Sequence, residues 1–251
     1  MGTRHHRSAD ARVGPLHPLG PQHKVAATVL FVVAVVATPR EQAWAFGVHA
    51  LVVAAVAALG RVPIVTLVRR VAIEAPFVAF ACLLPFVGHG PRIDVVGVDL
   101  SRAGLWAAWA IVAKGTLGVA ATALLASTTP VPKILAGMER LRVPILLVAI
   151  MGFMVRYGEV LADEMRRMRI ARESRGHDPR WIWHARAVAT SAGALFVRSY
   201  ERGERVFVAM QSRGYDGAMP GRDAAAPARS WWVAVVPMVA AATAVAAWWS
   251  R

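Results

Sequence analysis

Five apolar runs dominate this chain, at 25–37, 43–59, 71–87, 103–126 and 231–249. A helix needs about 20 apolar residues to cross a hydrocarbon layer of ~30 Å. Inside lipid each backbone N–H and C=O must be satisfied within its own element, so such runs are expected as helices. The last run is framed by Trp231-Trp232 and Trp248-Trp249. About 17 residues separate the pairs, or roughly 26 Å of helix, close to the spacing of the two interfacial belts where tryptophan concentrates. The first run is short unless residues from Gln22 join it. The expected fold class is an all-α membrane protein with about five transmembrane helices.

Composition agrees. The chain has 251 residues, is 57% hydrophobic and carries 29 Lys and Arg against 15 Asp and Glu; its mean hydropathy is +0.47. Apolar bulk with a large positive charge suits a membrane protein with a basic cytoplasmic face. Nucleic-acid binding is the other reading of a pI near 11.5, but the apolar runs leave no soluble core to carry a basic patch. One cysteine, Cys82, excludes an internal disulfide or a cysteine metal cluster. Residues 1–24 hold four cations, four histidines and three prolines and read as a basic polar tail, so no cleavable signal peptide is expected.

Cation placement orients the spans. Arg4, Arg7, Arg12 and Lys24 precede the first run, and Arg61, Arg69 and Arg70 lie between the second and third. The stretch 130–229 carries 17 of the 29 cations, whereas the links 38–42 and 88–102 carry only Arg40, Arg92 and Arg102. Five spans with the N-terminus in the cytoplasm put every basic link inside and the C-terminus outside. The expected organisation is a tail at 1–24, four spans within 25–126, a cytoplasmic unit at 127–229 and a last span within 230–251.

The cytoplasmic unit is expected to be helical. Thr128-Thr129-Pro130 and Pro132 end the fourth span, because proline cannot continue the helical hydrogen-bond ladder. A short helix is predicted over 133–141. Pro144 then opens a long one to Arg175, of about 48 Å, apolar all round in its first half and packed under or partly within the membrane. In its second half Leu161, Met165, Met168 and Ala171 share a stripe, and Arg166, Arg167, Arg169 and Arg172 face elsewhere. Another helix is predicted over 185–213, with Phe196, Tyr200, Gly203, Phe207 and Met210 on one stripe and Arg198, Arg202 and Arg205 off it.

Both helices close on the same three residues, Ser174-Arg175-Gly176 and Ser212-Arg213-Gly214, with the arginines 38 positions apart. An ordinary account exists: arginine complements the C-terminal end of the helix dipole and glycine is the common stop residue. Two copies on basic helices of one membrane protein also suggest two matching contacts on a partner that is itself two-fold.

The residues resemble a family at this point. "TTPVPKILAGMERLRVP", "MVRYGEVLADEMRRMRIARESRG" and "ERGERVFVAMQSRGYDG" look like the transmembrane T component of energy-coupling factor (ECF) transporters, most like the cobalt-type CbiQ branch. That family carries two Ala-Arg-Gly-like signatures at the ends of cytoplasmic coupling helices. Arg175-Gly176 and Arg213-Gly214 match them, and Ser174 and Ser212 stand where alanine is usual. The resemblance covers about 120–217 strongly and 25–100 more weakly. It implies an importer subunit that links a membrane-embedded substrate-binding S component to two ATP-binding-cassette ATPases. ATP would be bound by those partners, with no cofactor on this chain. Cobalt or nickel ions are the implied cargo, a vitamin the alternative.

Other polar residues carry weaker signals. Lys114 lies mid-span, where a cation is costly and a functional role is the default reading. Glu74 is a candidate partner, although their depths in the membrane differ by some 13 Å. His49 in the second span reads as a helix-packing hydrogen bond before a metal ligand. His5, His6, His17 and His23 read as solvated tail histidines, with metal binding the alternative. Asp94 and Asp99 lie on the outer loop with no third ligand in reach, so no metal site is assigned.

Two further classes stay open. A membrane-embedded transferase would need converging carboxylates for a magnesium-bound phosphate, and the only adjacent acidic pair, Asp163-Glu164, diverges by about 100° on a helix. No G-x-x-x-x-G-K-[ST], G-x-S-x-G or H-E-x-x-H pattern occurs. A stand-alone channel or scaffold would lack an ATPase partner.

Overall fold

The computed structural model describes residues 19–88, 91–95, 98–176, 185–215, 217 and 235–249. Its helices are α1 (Pro21–Ala37), α2 (Ala43–Leu59), α3 (Ile64–Val71), α4 (Ala75–Ala81), α5 (Leu84–Val87), α6 (Arg102–Thr128), α7 (Val131–Arg140), α8 (Ile145–Glu173), α9 (Ala185–Gln211) and α10 (Val235–Trp249). The chain is an all-α membrane protein. Among the described residues, three helical stretches, Ile64–Val87, Arg102–Thr128 and Ile145–Glu173, are long and apolar enough to cross a membrane, and α1, α2 and α10 are shorter apolar helices. Trp231 and Trp232 lie outside the described residues, as do His5, His6 and His17.

Three expectations change. The third span begins at Ile64 and is broken twice. Pro76 and Pro85 lack the N–H that would bond the carbonyls of Ala72 and Ala81, so a 3-10 turn forms at Ala72–Glu74 and a second break follows Ala81. The 88–102 link is no plain loop: β1 (Arg92–Val95) and β2 (Val98–Ser101) pair as an antiparallel hairpin. The α9 stripe divides. Phe196 and Tyr200 are exposed, whereas Gly203, Phe207 and Met210 line the gap against α8, joined by Arg202, expected off the stripe, which pairs with Glu164 of α8.

The chain divides into two compact units, Met1–Gly137 with Ala224–Arg251, and Met138–Asp223. In the first, α6 is the hub against which α1 to α5 pack, and α1 packs also on α10. The core joins Phe31, Val35, Phe46, Leu117, Ala121 and Ala240. Among the described glycines, two would meet another element's backbone closer than 3.0 Å. A Cβ at Gly104 would fall 2.8 Å from the Pro85 Cα and closer to the Leu84 carbonyl oxygen, and one at Gly137 would fall 2.9 Å from the Pro21 carbonyl carbon.

The end of α1 shows how this unit satisfies its backbone. The last four carbonyls of a helix have no partner within it. Thr38 N–H reaches Ala34 O and Val35 O, and the Thr38 hydroxyl donates to Ala34 O at 2.8 Å. Lys114 Nζ, from α6, donates to Val36 O at 2.7 Å, and Trp248 Nε1, from α10, to Ala37 O at 2.9 Å. All four are bonded, the last two by neighbouring helices. The arrangement is reciprocal: Lys24 of α1 donates to Thr128 O and Thr129 Oγ1 at the end of α6, each at 3.4 Å. A cation near a helix C-terminus also offsets the negative end of its dipole.

Two turns repeat one another. Arg61-Val62-Pro63-Ile64 ends α2 and starts α3; Arg142-Val143-Pro144-Ile145 ends α7 and starts α8. Arg61 and Arg142 are the non-glycine residues with positive φ among those described, at 49° and 63°. Val62 N–H bonds Ala57 O at 3.0 Å and Val143 N–H bonds Met138 O at 3.2 Å. The proline stops one helix and N-caps the next.

Candidate functional site: two matching helix ends

The second unit is built on α8 and α9. The half-buried positions Leu161, Glu164, Met165, Met168 and Arg172 of α8 follow helical spacing; Ala171, expected on this stripe, is exposed and Arg172 takes its place. Arg172 Nη1 donates to Ser191 Oγ at 2.7 Å. Glu164 accepts from Arg202 at 3.1 Å and from Arg198 at 3.5 Å. Further back, Phe153, Tyr157 and Leu161 face Gly203, Phe207 and Met210 across an apolar gap of about 360 Å³. As α8 positions fall, their α9 partners rise, so the helices run antiparallel. The gap lies on one side of the Glu164 crossing and the Arg172–Ser191 bond on the other.

Each helix ends on Ser-Arg-Gly, and the two ends share a backbone course. Gly176 has φ 78° and Gly214 φ 83°, a conformation open to glycine because it has no Cβ. Ser174 N–H bonds Ile170 O and Ser212 N–H bonds Val208 O. Arg175 N–H bonds Arg172 O and Arg213 N–H bonds Met210 O. Gly176 N–H bonds Glu173 O and Gly214 N–H bonds Gln211 O. After the second copy Tyr215 N–H returns to Met210 O at 3.0 Å, which completes a Schellman cap. The serine that replaces alanine has a role in both: its hydroxyl donates to the carbonyl three residues back, Ala171 at 3.1 Å and Ala209 at 3.0 Å.

The arginines differ from most of their neighbours. Arg166, Arg169, Arg198, Arg202 and Arg205 are in ion pairs, and Arg172 is held by Ser191. Arg175 and Arg213 are exposed, and their guanidinium groups meet no partner among the described residues. Arg156 and Arg167 share that freedom but lie mid-helix. From the Glu164–Arg202 crossing, Arg175 along α8 and Arg213 along α9 each lie eleven residues on, about 16.5 Å, in opposite directions. The pair therefore presents one free, forked cation at each end, no more than roughly 33 Å apart along its axis.

The intramembrane candidates separate. Glu74 is buried and accepts from Thr116 Oγ1 at 3.2 Å, while Lys114 bonds Val36 O; the two residues have different partners. His49 is fully buried, edge-on to Phe31 and Phe46. Its Nε2 lies 2.8 Å from Thr243 Oγ1, which bonds Ala240 O at 2.9 Å. The tautomer protonated on Nε2 completes that chain from α2 to α10. His49 Nδ1 has no partner in the described structure. Asp94 and Asp99 face each other across the hairpin, and no group of three His, Cys, Asp or Glu among the described residues could hold a metal ion. Sequence reading missed the Arg-Val-Pro-Ile repeat and the reciprocal lysine caps. The repeat was visible as a tetrapeptide; the caps pair residues far apart in sequence.

Known proteins place the chain. Residues 13–223 match the family described as CbiQ, cobalt transport protein. A cobalt transport protein CbiQ of Rhodobacter capsulatus is 32% identical over 129 residues, which is 51% of this chain and 52% of the relative. A putative fused cobalt transport protein CbiMQ of Methanocorpusculum labreanum is 27% identical over 128 residues, 51% of this chain and 21% of the relative. An uncharacterized protein of Methanocaldococcus jannaschii is 35% identical over 100 residues, 40% of this chain and 37% of the relative. The matched part thus spans about half or less of each relative. The family match covers most of the chain, and its described stretches Ile64–Val87 and Arg102–Thr128 are long and apolar enough to cross a membrane: this protein belongs to the CbiQ cobalt transport protein family.

Proposed function

We propose that this chain is the transmembrane coupling component of an ECF-type importer, with Arg175 and Arg213 each docking one of two ATPase subunits. The observation that carries this reading is the pair of matching helix ends, each with a free arginine, at opposite ends of one ion-paired helix pair. Arginine suits such a contact because its planar fork stays charged and bonds two acceptors at once. Gly176 and Gly214 turn the chain away behind it. When the ATPases close on ATP, the two ends move with them. The Glu164 crossing ties α8 to α9, so the pair carries that motion to the membrane surface as one rigid body. The exposed Phe196, Val197 and Tyr200 offer an apolar patch for the substrate-binding S component. Cobalt or nickel is the cargo, bound by that S component; in this reading the N-terminus faces the cytoplasm and the C-terminus the outside.

Co-purification from native membranes in mild detergent tests the assignment. Wild type is expected to bring down two ATPase copies and a small membrane subunit, and Arg175→Glu/Arg213→Glu to lose the ATPases and transport. ATPase retention and transport by the double variant would overturn it.

A further inference from the structure

Where α1, α10 and α2 meet the end of α6, the first unit holds an apolar cleft that the coupling role does not use. Its walls include Phe31, Val52, Val56, Ala121, Leu125 and Val236, around a cavity of about 110 Å³. It runs inward from one end of the bundle: Lys24 to Phe31, Leu59 to Val52 and Thr128 to Ala121 are each seven residues, about 10 Å of helix. The wall hydroxyls are already engaged, Thr28 with Lys24 O at 2.9 Å and Thr128 with Leu124 O at 2.8 Å. Water would find few polar partners there, whereas a hydrocarbon chain needs none.

The mouth is cationic. Lys24 lies at the cleft edge and reaches Thr128 and Thr129 at the end of α6; Lys133 follows four residues after Thr129, in the first turn of α7, and bears a like charge on Lys24. Neither has a carboxylate at salt-bridge distance among the described residues, and Lys24 has only two long bonds, to Thr128 O and Thr129 Oγ1. Arg70 also reaches this end of α6, donating to Ala123 O at 3.0 Å. Two like charges at the same end of an apolar slot suit an anion with a hydrocarbon tail.

We infer that this cleft binds one anionic phospholipid, with the headgroup-proximal part of an acyl chain between α1, α2, α6 and α10 and its phosphate at Lys24 and Lys133. Basic pockets between transmembrane helices on the cytoplasmic side recognise such headgroups. That this is the cytoplasmic leaflet rests on the orientation proposed above; the site itself requires no ATPase, so its failure and that of the coupling role are separable.

The test uses the full chain purified in mild detergent, with binding followed by thermal unfolding. The probes are dioleoyl phosphatidylglycerol, dioleoyl phosphatidylcholine and the free headgroup glycerophosphoglycerol. Each lysine near an anionic headgroup is worth about 1 kcal/mol, or roughly five-fold in affinity. Phosphatidylglycerol is therefore expected to bind about 25-fold more tightly than phosphatidylcholine. Lys133→Gln, which removes no hydrogen bond to the described residues, should reduce that preference about five-fold. Val56→Phe should weaken both lipids and leave their ratio unchanged. Equal binding of the two lipids, an undiminished preference in Lys133→Gln, or stabilisation by the free headgroup equal to that by the lipid would overturn the proposal.

Discussion

Glu164→Gln tests whether α8 and α9 move as one body. The substitution removes a charge and keeps the shape. The Glu164 side chain is 13% exposed, and its two partners differ: Arg202 is 3.1 Å away and 36% exposed, Arg198 3.5 Å away and 62% exposed. An exposed pair at the long end of the range contributes a few tenths of a kcal/mol at most, because solvent screens it. A shorter hydrogen bond to a mostly buried carboxylate is worth about 1.5 kcal/mol. Glutamine can still accept from one arginine as a neutral group, so the net loss should be about 1–1.5 kcal/mol, or roughly 5- to 12-fold in the opening equilibrium. Hydrogen exchange of α9 amides around 195–205 reads this directly, as loss of protection by that factor. Arg202→Gln should reproduce most of the effect and Arg198→Gln little. Unchanged exchange in Glu164→Gln, or equal effects from the two arginines, would refute the reasoning. A rigid pair is also what the coupling proposal needs, so Glu164→Gln should uncouple ATP hydrolysis from transport while leaving ATPase binding intact.

Three further outcomes are expected. Lys114→Met should lower thermal stability in detergent by about 1 kcal/mol, the scale of polar helix–helix bonds in membrane proteins, with extra hydrogen exchange in the last turn of α1; wild-type stability would show that Val36 O does not depend on the lysine. Gly214→Ala should cost about 1–2 kcal/mol because its φ of 83° suits glycine, and in a pull-down it should weaken ATPase retention while Gly193→Ala, with open space around it, should not. Gly104→Ala should destabilise by about 1–3 kcal/mol, because the new methyl meets the Leu84–Pro85 backbone rather than a side chain that can move; an unchanged melting temperature would mean that α5 and α6 pack less closely than described.

Much of the site was legible in the sequence because helix ends are local. Gly176 and Gly214 stop their helices by lacking a Cβ, and nothing distant is needed to say so. The apolar runs likewise announced α1, α2 and α6, since lipid leaves a backbone little choice but helix. The prolines at 76 and 85 were equally visible, but the breaks they impose on the third span were overlooked. The hairpin at 92–101 was not read either; its strands are four residues each, too short for periodicity to register.

Sequence alone settled the all-helical membrane class and the two matching helix ends, because both follow from composition and from interactions within a few residues. Tertiary structure alone decided the partners. Lys114 could not be assigned to Val36 O, nor Trp248 to Ala37 O, from positions 78 and 211 residues apart. The same holds for the Glu164 crossing, which sets α8 antiparallel to α9 and sends the two arginines to opposite ends. The reason is geometric: a helix fixes its own backbone bonds, but its last carbonyls and its charged side chains are satisfied by whichever helix packing brings alongside.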